Sequence, residues 1–261
     1  MRFQLFLILC CLQLIVTPAW AEPVKVLFDQ GHGQAFIIEQ SGDLQLGKFA
    51  DLFRRAGCDV TSTKESLTTT LLAEYDALVI SGAFKPFSES EIDAVEAFIQ
   101  QGGRVAVTLH IAPPLISLLH RVGIVTATGV VHEGVESLIL DEQSINFTVS
   151  DLAAHPLTAG LKYFSLYGGW PLLASGENVR VVASSSKKAW VDLNRDQIFS
   201  TGDAVQKFSL VVSSRVGRGE IIVFADDAIF QNRFLVGENR KLAENLIQWM
   251  KSGLIKDGIT I

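Results

Sequence analysis

Short apolar runs of strand length alternate with amphipathic stretches of helical period through the first half of the chain, and this alternation constrains the fold most. Val24 to Phe28 is an apolar run with a polar exit, Asp29-Gln30-Gly31-His32-Gly33. From Asp43 to Ala56, Leu46, Phe49, Ala50 and Phe53 recur at helical spacing, and Gly57 stops the pattern. Cys58 to Thr63 reads as a second strand and Tyr75 to Ile80 as a third, ending at Ser81-Gly82. Ser88 and Glu91 have the spacing of a capping box ahead of a helix whose buried stripe is Ile92, Val95, Phe98 and Ile99. Gly102-Gly103 ends that helix, Arg104 to Leu109 is a fourth strand, and Pro113-Pro114 opens a helix through His120. β-α-β alternation of this kind predicts an α/β fold with a mostly parallel, doubly wound sheet and helices on both faces.

The second half changes period. Val130 to Val149 reads as short strands in an excursion from the sheet. Asn178 to Ser184, Lys188 to Leu193, Phe208 to Arg215 and Glu220 to Ala225 read as strands of an antiparallel meander that extends the parallel sheet, with Gly217-Arg218-Gly219 as the last turn. A helix from Asn239 to Lys251 closes the pattern, with Leu242, Leu246, Ile247 and Met250 on one face. With 48% hydrophobic residues and no low-complexity linker, one α/β domain over 22–261 is expected.

The N-terminus has the grammar of a secretory signal. Arg2 is the charged region, Leu5 to Val16 is a 12-residue apolar core, and Ala19-Trp20-Ala21 is a small-residue cleavage site. A run that short does not span a bilayer comfortably. Residues 1–21 are therefore expected to be a signal peptide cleaved after Ala21, with the mature chain periplasmic or extracellular and without a transmembrane segment. Cys10 and Cys11 would leave with the signal, so Cys58 has no disulfide partner and reads as a packing residue. A net charge of -6 gives no electrostatic reason to bind nucleic acid or an anionic membrane.

Two constellations carry chemistry. The first is the loop of 191–204. Asp192, Asn194 and Asp196 alternate, Ile198 offers a backbone carbonyl, Ser200 acts through water, and Asp203 stands at position twelve. Calcium takes six to eight hard oxygens, and this spacing aims several of them at one point. Phe199 is expected to pack the loop onto the core. Gln197 stands where the sharp turn prefers glycine, and Asp203 is shorter than the usual glutamate, so a structural calcium ion competes with a solvated acidic turn.

The second constellation sits at strand exits. In doubly wound sheets, ligands bind outside the carboxyl ends of the strands. Asp29, His32, Ser81, His110, Asp226 and Asp227 all follow predicted strands and are the candidate ligand-binding residues; His32, His110 and Asp226 are the catalytic candidates if the chain is an enzyme. The competing reading is turn chemistry, in which Asp and His satisfy loop amides. His120, His132 and His155 have no partner in sequence and read as structural or solvated, and Trp170 reads as a loop residue beside a pocket.

The segments FDQGHGQ, VISGAF with SESEIDAVEAFIQQGGRVAVT, and VGRGEIIVFADDAIFQN with NRKLAENLIQWM together resemble the class I glutamine amidotransferase-like superfamily. The likeness is to its exported or membrane-associated branch outside the amidotransferases, whose domains occur in gliding-motility and intraflagellar-transport proteins. What the resemblance implies is a flavodoxin-like fold, with Asp29, His32 and Asp226 at signature positions. The amidotransferases carry a cysteine nucleophile at the elbow after the strand that corresponds to Arg104–Leu109. Here that elbow reads His110-Ile111-Ala112 and no later His-x-Glu pair is evident, so the resemblance carries over the fold and does not imply glutamine hydrolysis by a thiolate.

The expectation is an exported, non-catalytic binding or interaction domain, stabilised by calcium, that takes a small molecule, a glycan or a protein. The alternative is a hydrolase acting on a sugar- or peptide-like ligand through strand-end histidine and carboxylates.

Overall fold

In the computed structural model, β1 (Lys25–Asp29) lies between β2 (Asp59–Thr63) and β3 (Ala77–Ser81), parallel to both. The structure describes residues 22–252 except 195 and 197, together with short backbone pairings at Ile255–Lys256 and Ile259–Thr260. Residues 1–21, expected from the sequence to be a signal peptide, lie outside the described residues. Beyond β3 the sheet continues through β4 (Arg104–Thr108), again parallel. Val26, Leu27 and Phe28 are buried, as are all five residues of β3, as expected for strands covered on both faces.

Chain order and sheet order diverge at one place. β1 leads through α1 (Gly47–Arg55) to β2 on one side, and β2 leads through α2 (Thr69–Leu72) back across to β3. The carboxyl ends of β1 and β3 thus form a topological switch point, where connections leave in opposite directions and open a crevice. α3 (Glu89–Gln100) starts from the expected capping box: the Ser88 hydroxyl accepts from the Glu91 amide, and the Glu91 carboxylate accepts from the Ser88 amide. A 3-10 turn over Pro113–Leu115 precedes α4 (Ile116–Arg121).

The chain then leaves the sheet and returns. The excursion runs through β5 (Ile124–Thr126), β6 (Val131–His132), β7 (Ile139–Leu140), β8 (Gln143–Val149), β9 (Asp151–Leu152), β10 (Phe164–Tyr167), β11 (Leu172–Ala174), β12 (Val179–Ser184), β13 (Trp190–Val191) and β14 (Ala204–Val205). β15 (Ser209–Val216) and β16 (Gly219–Phe224) follow, and α5 (Gly237–Lys251) closes the pattern. β16 re-enters beside β4 in parallel register, and β15 pairs antiparallel with it through the turn at Gly217. Among the described residues the main sheet has ten strands; its path is β2-β1-β3-β4-β16-β15-β11-β5, with β12 paired to β15 and β9 paired in turn to β12.

The mixed α/β fold is therefore as expected: a mostly parallel centre with an antiparallel extension. Three details differ from the sequence expectation. The segment 188–193 forms only the short β13, which leaves the meander and pairs with β6 and β14 in a small separate sheet. The first helix begins at Gly47, after a turn over residues 43–46 whose last residue, Leu46, is buried. The last helix begins two residues earlier than Asn239, at Gly237. Cys58 is buried and its thiol is pushed up by burial, as suits a packing residue. Among the described residues no helix is long and apolar enough to cross a membrane.

Candidate functional site

The strand-end residues fall into two groups on one rim. The first surrounds His32, just after β1. Its ring is buried, with Nδ1 2.8 Å from Asp29 Oδ2 and Nε2 3.2 Å from Glu91 Oε1. One ring face lies flat on Phe87, centroids 3.6 Å apart. Both Asp29 oxygens are engaged: the Gly31 amide donates to Oδ1 and the Gln34 side chain to Oδ2. Burial alone would lower the pKa of His32, but the hydrogen bond and charge of Asp29, helped by Glu91, carry it above the ordinary histidine value. Asp29 and His32 form a closed, buried polar bracket. Glu91, which the sequence marks only as a helix cap, is the bracket's second arm. Its pKa is held down, against the opposing effect of burial, by Ser88, His32 and the Leu67 amide.

The second group lies across β3, β4 and β16. His110, two residues beyond β4, keeps 39% of its side chain exposed while Nδ1 sits 3.2 Å from Asp227 Oδ1. Its ring stands between two phenylalanines, Phe84 at 4.8 Å and Phe36 at 5.6 Å. Trp170 donates from Nε1 to the His110 carbonyl (3.1 Å), so this loop aromatic braces the elbow. The Asp227 hydrogen bond raises the His110 pKa, outweighing desolvation. An Asp–His pair of this kind holds the imidazole in one orientation.

Asp226 and Asp227 are both buried. Asp226 accepts from the Tyr167 amide (2.7 Å, Oδ2) and from the Ala228 amide (2.8 Å, Oδ1). Full burial and the neighbouring Asp227 push its pKa up to about 8, against the downward pull of those two amides. Asp227 differs. Its Oδ1 faces His110, while its Oδ2 is buried with no hydrogen-bond partner. That oxygen occupies the space beside Gly82, where a Cβ would stand 2.5 Å from it. An orphaned buried carboxylate oxygen requires an explanation, because leaving it unbonded costs about 1–3 kcal/mol. Ser81 is buried and accepts from Thr108 Oγ1 at 2.8 Å, which ties the ends of β3 and β4 together. The rim thus unites His110, Asp226 and Asp227 with the aromatic residues Phe36, Phe84 and Trp170, and it separates Asp29 and His32 into the bracket.

The acidic loop gathers part of its predicted set. The Asn194 side-chain nitrogen donates to Asp196 Oδ2 (2.9 Å) and to Ser200 Oγ (2.8 Å), and Ser200 Oγ donates to Asp196 Oδ2 (2.9 Å). Asp203 instead accepts from the Leu193 and Ser200 amides, and the Ile198 amide donates to Asp196. Phe199 does not pack the loop onto the core: it is 62% exposed and only its edge approaches Trp190, at 5.5 Å. The loop joins β13 and β14 of the small separate sheet rather than two strands of the main one. Among the described residues no cluster of three or more His, Cys, Asp or Glu is placed to hold a metal ion. A cation here would therefore need the oxygens of Asn194 and Ser200 and the Ile198 carbonyl beside those of Asp192, Asp196 and Asp203.

His155 and His132 have partners that sequence does not show. His155 Nδ1 accepts the Leu157 amide and its Nε2 lies 3.8 Å from Glu220. His132 stacks on Trp190 and pairs with Ser144.

Residues 40–247 match a family described as "Domain of unknown function (DUF4350)". No curated protein matches the chain. Among solved structures, the mmIFT52 N-terminal domain aligns at a TM-score of 0.70 and 17% identity, covering 89% of this chain and 99% of that one. The cytoplasmic protein STM1381 from Salmonella typhimurium LT2 aligns at 0.58 and 16% identity, covering 87% and 99%. A ThuA-like protein from Bacteroides uniformis aligns at 0.52 and 16%, covering 89% and 93%. At these identities the likeness establishes the fold and leaves the site to be argued from its own chemistry.

Proposed function

The chain belongs to the DUF4350 family, and from that premise we propose that it is an exported binding module whose ligand site is the rim at His110 and Asp227. One observation carries this reading: Asp227 Oδ2 is buried without a partner, next to a half-exposed imidazole walled by aromatic rings. Small-molecule sites pair apolar and aromatic walls with a few fixed polar groups. Here the fixed polar groups are the Asp227 carboxylate and the His110 imidazole that it orients. The Phe36 and Phe84 rings offer apolar faces. A neutral hydroxylated ring, as in a glycan, supplies a matching donor, acceptor and C–H face. The export signal at 1–21 and calcium in the 191–204 loop belong to the same reading, the first from its charge and cleavage pattern, the second from the convergence of Asn194, Asp196 and Ser200.

Saturation-transfer NMR with neutral mono- and disaccharides tests the rim. The wild-type chain is expected to show transfer that Asp227→Asn and His110→Ala each reduce by about tenfold, the scale of one good hydrogen bond. Equal transfer in folded variants, or none for any saccharide in the wild type, rejects the reading. The hydrolase reading is favoured by one distance, the 3.2 Å between His110 and Asp227, which is a base held by an orienting carboxylate. It requires turnover of chromogenic glycosides or esters that vanishes in His110→Ala; binding without turnover selects the module.

A further inference from the structure

His32 is the buried strand-end histidine whose chemistry the rim does not use. Both its ring nitrogens face carboxylate oxygens, of Asp29 from the β1 exit and of Glu91 from α3. A carboxylate accepts only, so both contacts are satisfied together only when both nitrogens carry hydrogen, as imidazolium. A neutral ring turns a lone pair toward one of the two anions. Among the described residues, Asp29 is otherwise bonded to Gly31 and Gln34, Glu91 to Ser88 and the Leu67 amide, and Phe87 covers a ring face. The Lys85 side chain packs against Gly33 through its methylenes.

The same residue holds the next segment by its main chain. The His32 carbonyl accepts from the amides of Phe84 and Lys85, both at 2.9 Å. Ring and carbonyl together therefore grip residues 84 and 85 at one end and Phe87 at the other. Phe84, 40% exposed, forms a wall against His110. The path from bracket to rim is thus one short stretch of chain.

We propose that His32 is a positioning residue: its imidazolium, bridging Asp29 and Glu91, fixes segment 82–87, and the Phe84 wall against His110 loosens when His32 loses its proton. This deepens the rim reading above and makes the rim responsive to pH. The bracket keeps His32 protonated past the ordinary histidine range, so the loosening falls on the alkaline side of about pH 6.5.

The test is hydrogen exchange of the Phe84 and Lys85 amides in the full chain. Protection factors, corrected for the intrinsic pH dependence of exchange, are followed together with the nitrogen-15 shifts of His32 and His110. Protection of both amides is expected to fall by about tenfold or more through the His32 titration, with the His110 shift moving in the same step. Glu91→Gln keeps the capping box and removes one anion, so the His32 titration and the protection step should move to lower pH together. Amides that stay protected through the titration, or a step that does not follow the shifted His32 titration in Glu91→Gln, overturn the proposal. The saccharide measurement is separate: its failure rejects the rim as a ligand site without touching this step.

Discussion

Gly82 is where a single hydrogen atom decides the chemistry of the rim. Its φ of +61° lies in the left-handed region, and the place of its absent Cβ is filled by Asp227 Oδ2. Gly82→Ala is expected to cost about 1–3 kcal/mol from backbone strain and close approach. It should also push Asp227 off His110, so that the His110 pKa drops toward the ordinary value. Thermal melting reads the first effect and an imidazole NMR titration the second; an unchanged His110 titration would show that Asp227 does not depend on Gly82. Asp226 makes a prediction of opposite sign to most carboxylates. Its pKa is raised from 3.8 to about 8 in the folded chain, so the fold holds the proton more tightly than the unfolded chain does. Its contribution to stability is full below pH 3.8 and is lost as pH rises through about 8. Denaturant melts of wild type and Asp226→Asn from pH 4 to 8 check this: the wild type should lose stability relative to the variant across that range.

At the scale of elements, the strand exits were legible because a parallel strand is a continuous apolar run whose first polar residue marks its end. This rule located Asp29, Ser81, His110, Asp226 and Asp227. What it does not tell is which of them face one another. Glu91 shows why: its three-residue spacing to Ser88 is local and readable, whereas its contact with His32 spans two intervening strands and exists only after β1 and β3 are side by side. The cysteine-free elbow was equally readable, but the unpartnered Asp227 oxygen behind it was not. Loop spacing has the same limit. Residues 192–203 show a calcium-like order in sequence, and in the structure three side chains converge while Phe199 stands out to solvent. Millimolar calcium is expected to raise the melting temperature and a chelator to lower it, with Asp196→Ala abolishing the difference. A melting curve indifferent to calcium would reduce the loop to an acidic turn.

Across the whole molecule, the end of the sheet opposite the rim is locked by charge. Glu220 is the second residue of β16 and Arg104 the first of β4; their side chains meet at 2.6 Å. Trp249 of α5 donates to the same Glu220 oxygen at 3.2 Å, its ring lies under the Arg104 guanidinium at 4.8 Å, and His155 approaches from the excursion. Burial would raise the Glu220 pKa, but bonds and charge from His155, Arg104 and Trp249 bring it from 4.5 down to about 2. The lock joins the parallel core, the antiparallel excursion and the final helix at one point. A depressed carboxylate stabilises above its unfolded pKa and stops doing so as pH falls through its folded one. Glu220 should therefore contribute about 3 kcal/mol at neutral pH, a contribution lost between about pH 4.5 and 2. Arg104→Met, which leaves the buried carboxylate uncompensated, should cost about 3–5 kcal/mol, and adding Glu220→Gln should restore part of that loss. Urea melts of the two single variants and the double variant measure the coupling; additive losses would mean that the four segments are held together by packing alone.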